Sequence, residues 1–182
     1  MMTVASRPVR PDLRPQVAAS WRRALAAGVA PDDSSDPVIE PDSRLGEARE
    51  RHPLSEMVAD IHGAMAWEGH SDDHLLVITD ASGVILWMAG SPFLRRRIDR
   101  IGMLEGAHWS EFDVGTNAIG TALHDQRATF VSGPEHLVIS HRDWLCAADV
   151  IRDPRTGEVV AAIDLTAPVK AGRSIAVAAV RA

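Results

Sequence analysis

Trp109-Ser110-Glu111-Phe112-Asp113-Val114-Gly115-Thr116-Asn117-Ala118-Ile119-Gly120-Thr121-Ala122-Leu123 joins an aromatic loop to a short helix. Gly115 supplies the positive φ of a tight entry turn, and Thr116 behind it is a good N-cap, its hydroxyl accepting an amide hydrogen bond from the first helical turn. The helix therefore starts at Thr116 or Asn117. Ala118, Ile119, Ala122 and Leu123 share one side of it, and Gly120 leaves room for a neighbouring element to come close. Such a helix is mostly buried. Its N-terminus carries free amides and a partial positive charge, and it faces the loop that holds Trp109 and Phe112, which is the geometry of a small ligand pocket. The same residues also read as a packed loop feeding a core helix.

Working outward, the chain of 182 residues is the size of one domain with an appendage, and its 46% hydrophobic content is enough for a core. A net charge of −6 gives no general attraction to nucleic acid or anionic lipid, so direct nucleic-acid binding by this chain is disfavoured. The single cysteine, Cys146, excludes an intrachain disulfide and a multi-cysteine zinc site. No apolar signal segment opens the chain, and no apolar run approaches the ~18 residues needed to span a bilayer. The expectation is a soluble cytoplasmic protein with no membrane contact.

Residues 1–11 hold little that can be buried and read as a loose arm. From Asp12 to Ala27 the pattern is helical, with Leu13, Val17, Trp21 and Leu25 in one stripe and Gly28 as C-cap. Arg22 and Arg23 beside it read as a solvated face. Val29 to Asp42, rich in proline and acids, reads as a linker. Ser43 to about Glu68 predicts a helix or two with a break at Pro53, closed by residues 68–73. From His74 the period changes. Leu75–Ile78 and Val84–Met88 are short, β-branched or aromatic, and joined by Asp80-Ala81-Ser82-Gly83, which predicts an antiparallel hairpin covered on both faces. Ser91 to Ile101 predicts a helix with Phe93, Leu94, Ile98 and Ile101 inward and four arginines, Arg95, Arg96, Arg97 and Arg100, outward. Ala128–Val131 predicts a strand, and Leu137 to His141 a helical turn that brings His136 and His141 to the side of Trp144. A second hairpin pairs Leu145–Ile151 with Val159–Leu165 across a turn at Asp153–Gly157. Ser174 caps a last helix, Ile175 to Ala182.

No catalytic set assembles from these elements. Cys146 with His136 or His141 as base is the one nucleophile arrangement on offer, but an apolar strand is where inert buried cysteines sit. The scattered histidines form no ligand face, so no metal and no cofactor are expected. Asp149 is different in kind: a carboxylate inside the apolar run Cys146–Ile151 needs a donor such as Arg142 or a wet cavity, which makes it a candidate pocket acid. The expected ligand-binding residues are Trp87, Trp109, Phe112, Thr116, Asn117, His136, Trp144, Cys146 and Asp149.

The order of these motifs resembles a known family. The Leu75–Asp80 strand and its Asp80–Gly83 turn, Trp109-Ser110-Glu111 with Gly115 to Leu123, Gly133-Pro134-Glu135-His136, and Ile151-Arg152-Asp153-Pro154 with Thr156-Gly157-Glu158 are together similar to the GAF sensory domain of acetoin-catabolism-type transcriptional regulators, enhancer-binding or related actinobacterial-like. Ala19 to Val29 resembles the segment those regulators carry ahead of the domain. The resemblance implies an α+β fold, a GAF-like antiparallel sheet flanked by helices with an N-terminal helical extension, a ligand pocket on one face, and a dimer formed through terminal helices. It divides the chain into residues 1–42, an arm, helix and linker, and residues 43–182, the sensory domain. Full regulators of this type continue into an ATPase domain and a DNA-binding helix pair, or a DNA-binding module alone, so output is expected from another module or chain.

The expected function is a non-enzymatic sensory domain that binds a small organic effector and controls transcription through such an output. Two rivals come from other classes: a ligand-free dimerisation module, and a thiol-dependent reductase built on Cys146.

Overall fold

The computed structural model describes residues 13–32, 37–67 and 74–171. The arm expected over residues 1–11, the helix end expected over residues 68–73 and the helix expected over Ile175 to Ala182 lie outside the described residues. Helix α1 (Pro15–Ala26) is followed by α2 (Asp42–Arg51), α3 (Val58–Trp67), strands β1 (Leu75–Asp80) and β2 (Ile85–Gly90), and helix α4 (Pro92–Ile98). Helix α5 (Ala118–Asp125) precedes strands β3 (Thr129–Ser132), β4 (Trp144–Arg152) and β5 (Val159–Pro168). The strands form one antiparallel sheet in the order β2-β1-β5-β4-β3, the expected α+β architecture. Both predicted hairpins are present. The first turns because Asp80 Oδ1 accepts from the amides of Ser82 and Val84, with Gly83 at φ +93°.

Strand periodicity assigns the two faces. Val77 of β1 and Ala148 of β4 both stand opposite Asp164 of β5, and Cys146 and Leu75 stand opposite Thr166. These residues share one face, which α4, α5 and Trp109 cover in the largest core cluster. Ile78, Ala161, Ile163 and Ile151 share the other face, under Leu54, Val58 and Ile61. The α2–α3 break falls where Pro53 predicts it. His52 at the break bonds backbone with both ring nitrogens: Nε2 donates to Val160 O at 3.0 Å, and Nδ1 accepts from Leu54 N at 3.2 Å.

Three side-chain assignments differ from the periodicity. The buried stripe of α1 is Val17, Ser20 and Ala24, while Leu25 is exposed, because α1 meets the domain along a polar seam rather than an aliphatic groove. Phe93 is 67% exposed, since α4 is a short helix that needs only Leu94 and Ile98 to cover the sheet edge. Helix α5 is capped by Asn117, not Thr116: Asn117 Oδ1 accepts from Gly120 N at 2.8 Å, and Nδ2 donates to Gly115 O at 2.9 Å and Trp109 O at 3.3 Å. One amide thus fixes both the helix start and the end of the aromatic loop.

Gly120 is the close approach the sequence suggested. A β-carbon there would overlap the backbone nitrogen of Glu111 and stand 2.9 Å from the carbonyl carbon of Ser110. Alanine gains about 1 kcal/mol over glycine in an open helix, but backbone overlap outweighs that. Gly120→Ala is expected to destabilise the protein by about 2–4 kcal/mol in chemical denaturation.

Candidate ligand cavity

The helix-covered face of the sheet encloses a hollow. Its floor is Cys146 of β4 and Asp164 of β5. Its walls are Trp109, Asn117, Ala118 and Ile119 from the opening stretch, Ile98, Ile101 and Met103 from α4 and the turn after it, and His136, His141 and Trp144 from the segment before β4. Its free volume is about 10 Å³. That is room for about one water, so the lining must move before anything larger fits.

The hollow is close to uncharged. Burial holds the His136 imidazole at about 4, lowered further by Arg142, against a partly compensating bond from Nδ1 to Gly133 O. Burial and then His136 hold His141 at about 3. Both rings are neutral at pH 7. Burial pushes the Asp164 carboxyl up to about 7, and its bond with Thr166 offsets only part of that. Burial, and then the nearby Asp164, push the Cys146 thiol up as well, although the Thr166 hydroxyl at 3.2 Å favours its thiolate. A buried thiol held protonated is a poor nucleophile, which weighs against the reductase expectation. The His141 ring stacks on Trp109 at 5.4 Å between centroids and meets His136 edge-on at 6.2 Å. Among the described residues neither nitrogen of His141 has a hydrogen-bond partner, nor does Asp164 Oδ1. Among the described residues no group of three or more His, Cys, Asp or Glu side chains is placed to hold a metal ion.

Of the residues singled out by sequence, Trp109, Asn117, His136, Trp144 and Cys146 meet in the hollow. The other four do not. Trp87 pairs with Ile78 on the opposite sheet face, edge-on to His52 at 5.4 Å. Phe112 is 50% exposed and touches His124. Thr116 turns to Ser20, 2.8 Å away. Asp149 is exposed opposite Ile163, and Arg142 bonds the carbonyls of His136 and Leu137 rather than Asp149. Cys146 and Asp149 are three residues apart, and odd spacing puts them on opposite faces of a strand. The acid in the hollow is Asp164. The same signal that drew attention to Asp149, a carboxylate in an apolar strand, marks Asp164 in Ala161–Leu165.

A second buried cluster ties the aromatic loop to α1. Glu111, 1% exposed, forms an ion pair with Arg23 and accepts from Ser20 Oγ at 2.6 Å, while Thr121 Oγ1 donates to Ser20 Oγ at 3.1 Å. Arg23 also lies 3.5 Å from Asp125, so it is an anchor rather than part of a solvated face. Trp21 Nε1 donates to Glu135 O at 2.7 Å beside it. Two of the α4 arginines are likewise held: Arg95 by Met88 O and Glu105, and Arg97 over the Trp144 ring at 5.0 Å.

Helices on both faces of a five-stranded antiparallel sheet, with a hollow on one face, make this an α+β domain. The chain belongs to the family described as MimR, N-terminal domain, whose model matches residues 4–180. It is 36% identical over 154 residues to an uncharacterized 47.3 kDa protein in the thcA 5′ region of Rhodococcus erythropolis, covering 85% of this chain and 35% of that protein. It is 31% identical over 157 residues to the acetoin dehydrogenase operon transcriptional activator AcoR of Bacillus subtilis, covering 86% and 26%. Identity is 32% over 149 residues to the propane 2-monooxygenase operon transcriptional activator MimR of Mycolicibacterium smegmatis, covering 81% and 24%. The chain thus spans about a third or less of the length of these relatives. In fold it is similar to a chain of the crystal structure of the E. coli DhaR(N)–DhaL complex, with a TM-score of 0.82 at 21% identity over 92% of this chain and 58% of that one. Among the described residues no helix is long and apolar enough to cross a membrane.

Two measurements check the buried groups. Removing the cation from Glu111 leaves a carboxylate unpaired, so Arg23→Met is expected to cost about 3 kcal/mol, and Glu111→Gln less than that, in denaturation at neutral pH. Asp164 has its ordinary value of 3.8 raised on folding, so its contribution is complete below pH 4 and declines as pH rises toward 7. The histidines act oppositely: their contribution is complete above 6.5 and declines as pH falls toward 4 and 3. Asp164→Asn removes only the first effect. Relative to the unsubstituted protein, the variant should gain about 1–3 kcal/mol between about pH 4.5 and pH 7.5.

Proposed function

We propose that this chain is the small-molecule-sensing domain of a cytoplasmic transcriptional regulator. It binds a small organic effector in the hollow, pairs with a second copy through its terminal helices, and acts on transcription through an output module. The observation that carries this reading is the hollow itself, where Asp164 Oδ1 and both nitrogens of His141 are buried with no partner among apolar walls. Buried polar groups are normally satisfied, and a ligand is one way to satisfy them. The relatives' names support the link to transcription, since two are activators of operons whose named enzymes act on acetoin or propane. The contact residues in this reading are Trp109, Asn117, His136, His141, Trp144, Cys146 and Asp164. It is a reading without catalysis.

Transmission follows from the packing. An effector larger than a water displaces the lining, and Trp109 sits two residues from Glu111, which holds α1 through Arg23 and Ser20. Movement of the aromatic loop therefore loads the α1 seam. The effector shifts the equilibrium by its difference in affinity between the closed and opened forms. The net charge of −6 supports leaving nucleic-acid contact to the output module.

The small free volume favours a second reading, a dimerisation module whose pocket has closed. Native mass spectrometry of freshly purified protein, followed by melting with whatever co-purifies, separates the two. A sensor carries a small molecule and gains about 2.7 kcal/mol of stability at a hundred times the dissociation constant. A protein that carries nothing and whose melting no metabolite set moves is the module.

A further inference from the structure

The geometry points to a small uncharged molecule with a hydroxyl group as the occupant of the hollow, its hydroxyl donating to Asp164 Oδ1 and accepting from a ring N–H of His141. This rests on the sensing reading and names its ligand chemistry. Counting donors and acceptors leads there. Asn117 spends its amide on Gly120, Gly115 and Trp109, and His136 spends Nδ1–H on Gly133 O. Thr166 has one hydroxyl proton and two neighbours, Asp164 Oδ2 and Cys146 Sγ. With Asp164 protonated on Oδ2, a chain runs from the carboxyl OH to Thr166 and from Thr166 to Cys146. That chain leaves Oδ1 as a bare acceptor. His141, neutral, offers one donor and one acceptor, and neither is used.

Other ligand classes fit less well. An anion meets no cationic side chain in the lining and stands beside Asp164. An ammonium donates to Asp164 Oδ1 but gives a ring N–H of His141 no acceptor, and its charge would be buried among apolar walls. A ketone accepts from His141 but gives Asp164 Oδ1 no donor, and a hydrocarbon satisfies neither. A hydroxyl satisfies both at once, and the apolar walls of Ile98, Ile101, Met103 and Ile119 suit a short carbon skeleton beside it.

The test is a series of near-isosteres, propan-2-ol, acetone, isobutyrate and isopropylammonium, titrated into the purified chain with tryptophan emission and calorimetry as readouts. Propan-2-ol is expected to bind at least about tenfold tighter than acetone, with the two ions weaker still. Asp164→Ala should remove that preference and leave acetone binding within about twofold, whereas His141→Phe should weaken propan-2-ol and acetone alike and leave the preference between them. The series on the unsubstituted protein decides the matter even where a variant fails to fold. Equal binding of acetone and propan-2-ol, or stronger binding of either ion, overturns the hydroxyl assignment while the sensing reading stands. Binding of none of the four also overturns it, and the co-purification experiment then judges the sensing reading separately.

Discussion

Glu111 is a carboxylate with 1% of its surface in water, and its burial organises the helical side of the molecule. A buried charge is tolerated only with partners, and its partners come from two other elements: Arg23 and Ser20 from α1, Thr121 from α5. The loop that carries Glu111 also carries Trp109, and Asn117 ties the far end of that loop to the start of α5. Helix α1 is therefore not an appendage laid on a finished domain. It supplies the cation and hydroxyl without which the Trp109–Asn117 loop could not keep its acid inside.

Across the loop lies the opposite electrostatic arrangement. In the hollow, burial neutralises instead of pairing: the histidines stay unprotonated and Asp164 is driven toward its acid form. The two sites share a wall but differ in kind. One is an ion pair held together against its desolvation, whose removal loosens the architecture. The other is a near-neutral enclosure whose polar atoms are under-used, and it is there that an added molecule has something to gain.

Much of this was readable from the residues. The hairpins, the break at Pro53, the close approach at Gly120 and the convergence of Trp109, Asn117, His136, Trp144 and Cys146 follow from periodicity, turn chemistry and small-residue placement. Strand parity was readable too, and it turns Asp149 away once Cys146 is set facing inward, while the sheet register is what puts Asp164 and Thr166 beside Cys146. Other features were not. Which side chain caps α5 depends on Ser20, nearly a hundred residues away, drawing Thr116 aside and leaving the cap to Asn117. Trp87 and Trp144 look alike in sequence, and only the sheet register puts them on opposite faces. The partnership of Arg23 with Glu111 joins residues 88 apart, and no local pattern announces it.

The nearly filled hollow also acts on time. With about 10 Å³ free and Trp109 and Trp144 buried in its walls, an effector of the proposed kind would wait for the walls to part. Association would then be limited by the frequency of opening instead of by diffusion, and departure would wait on the same event. A sensor built this way would average over brief fluctuations in its surroundings and answer to what persists.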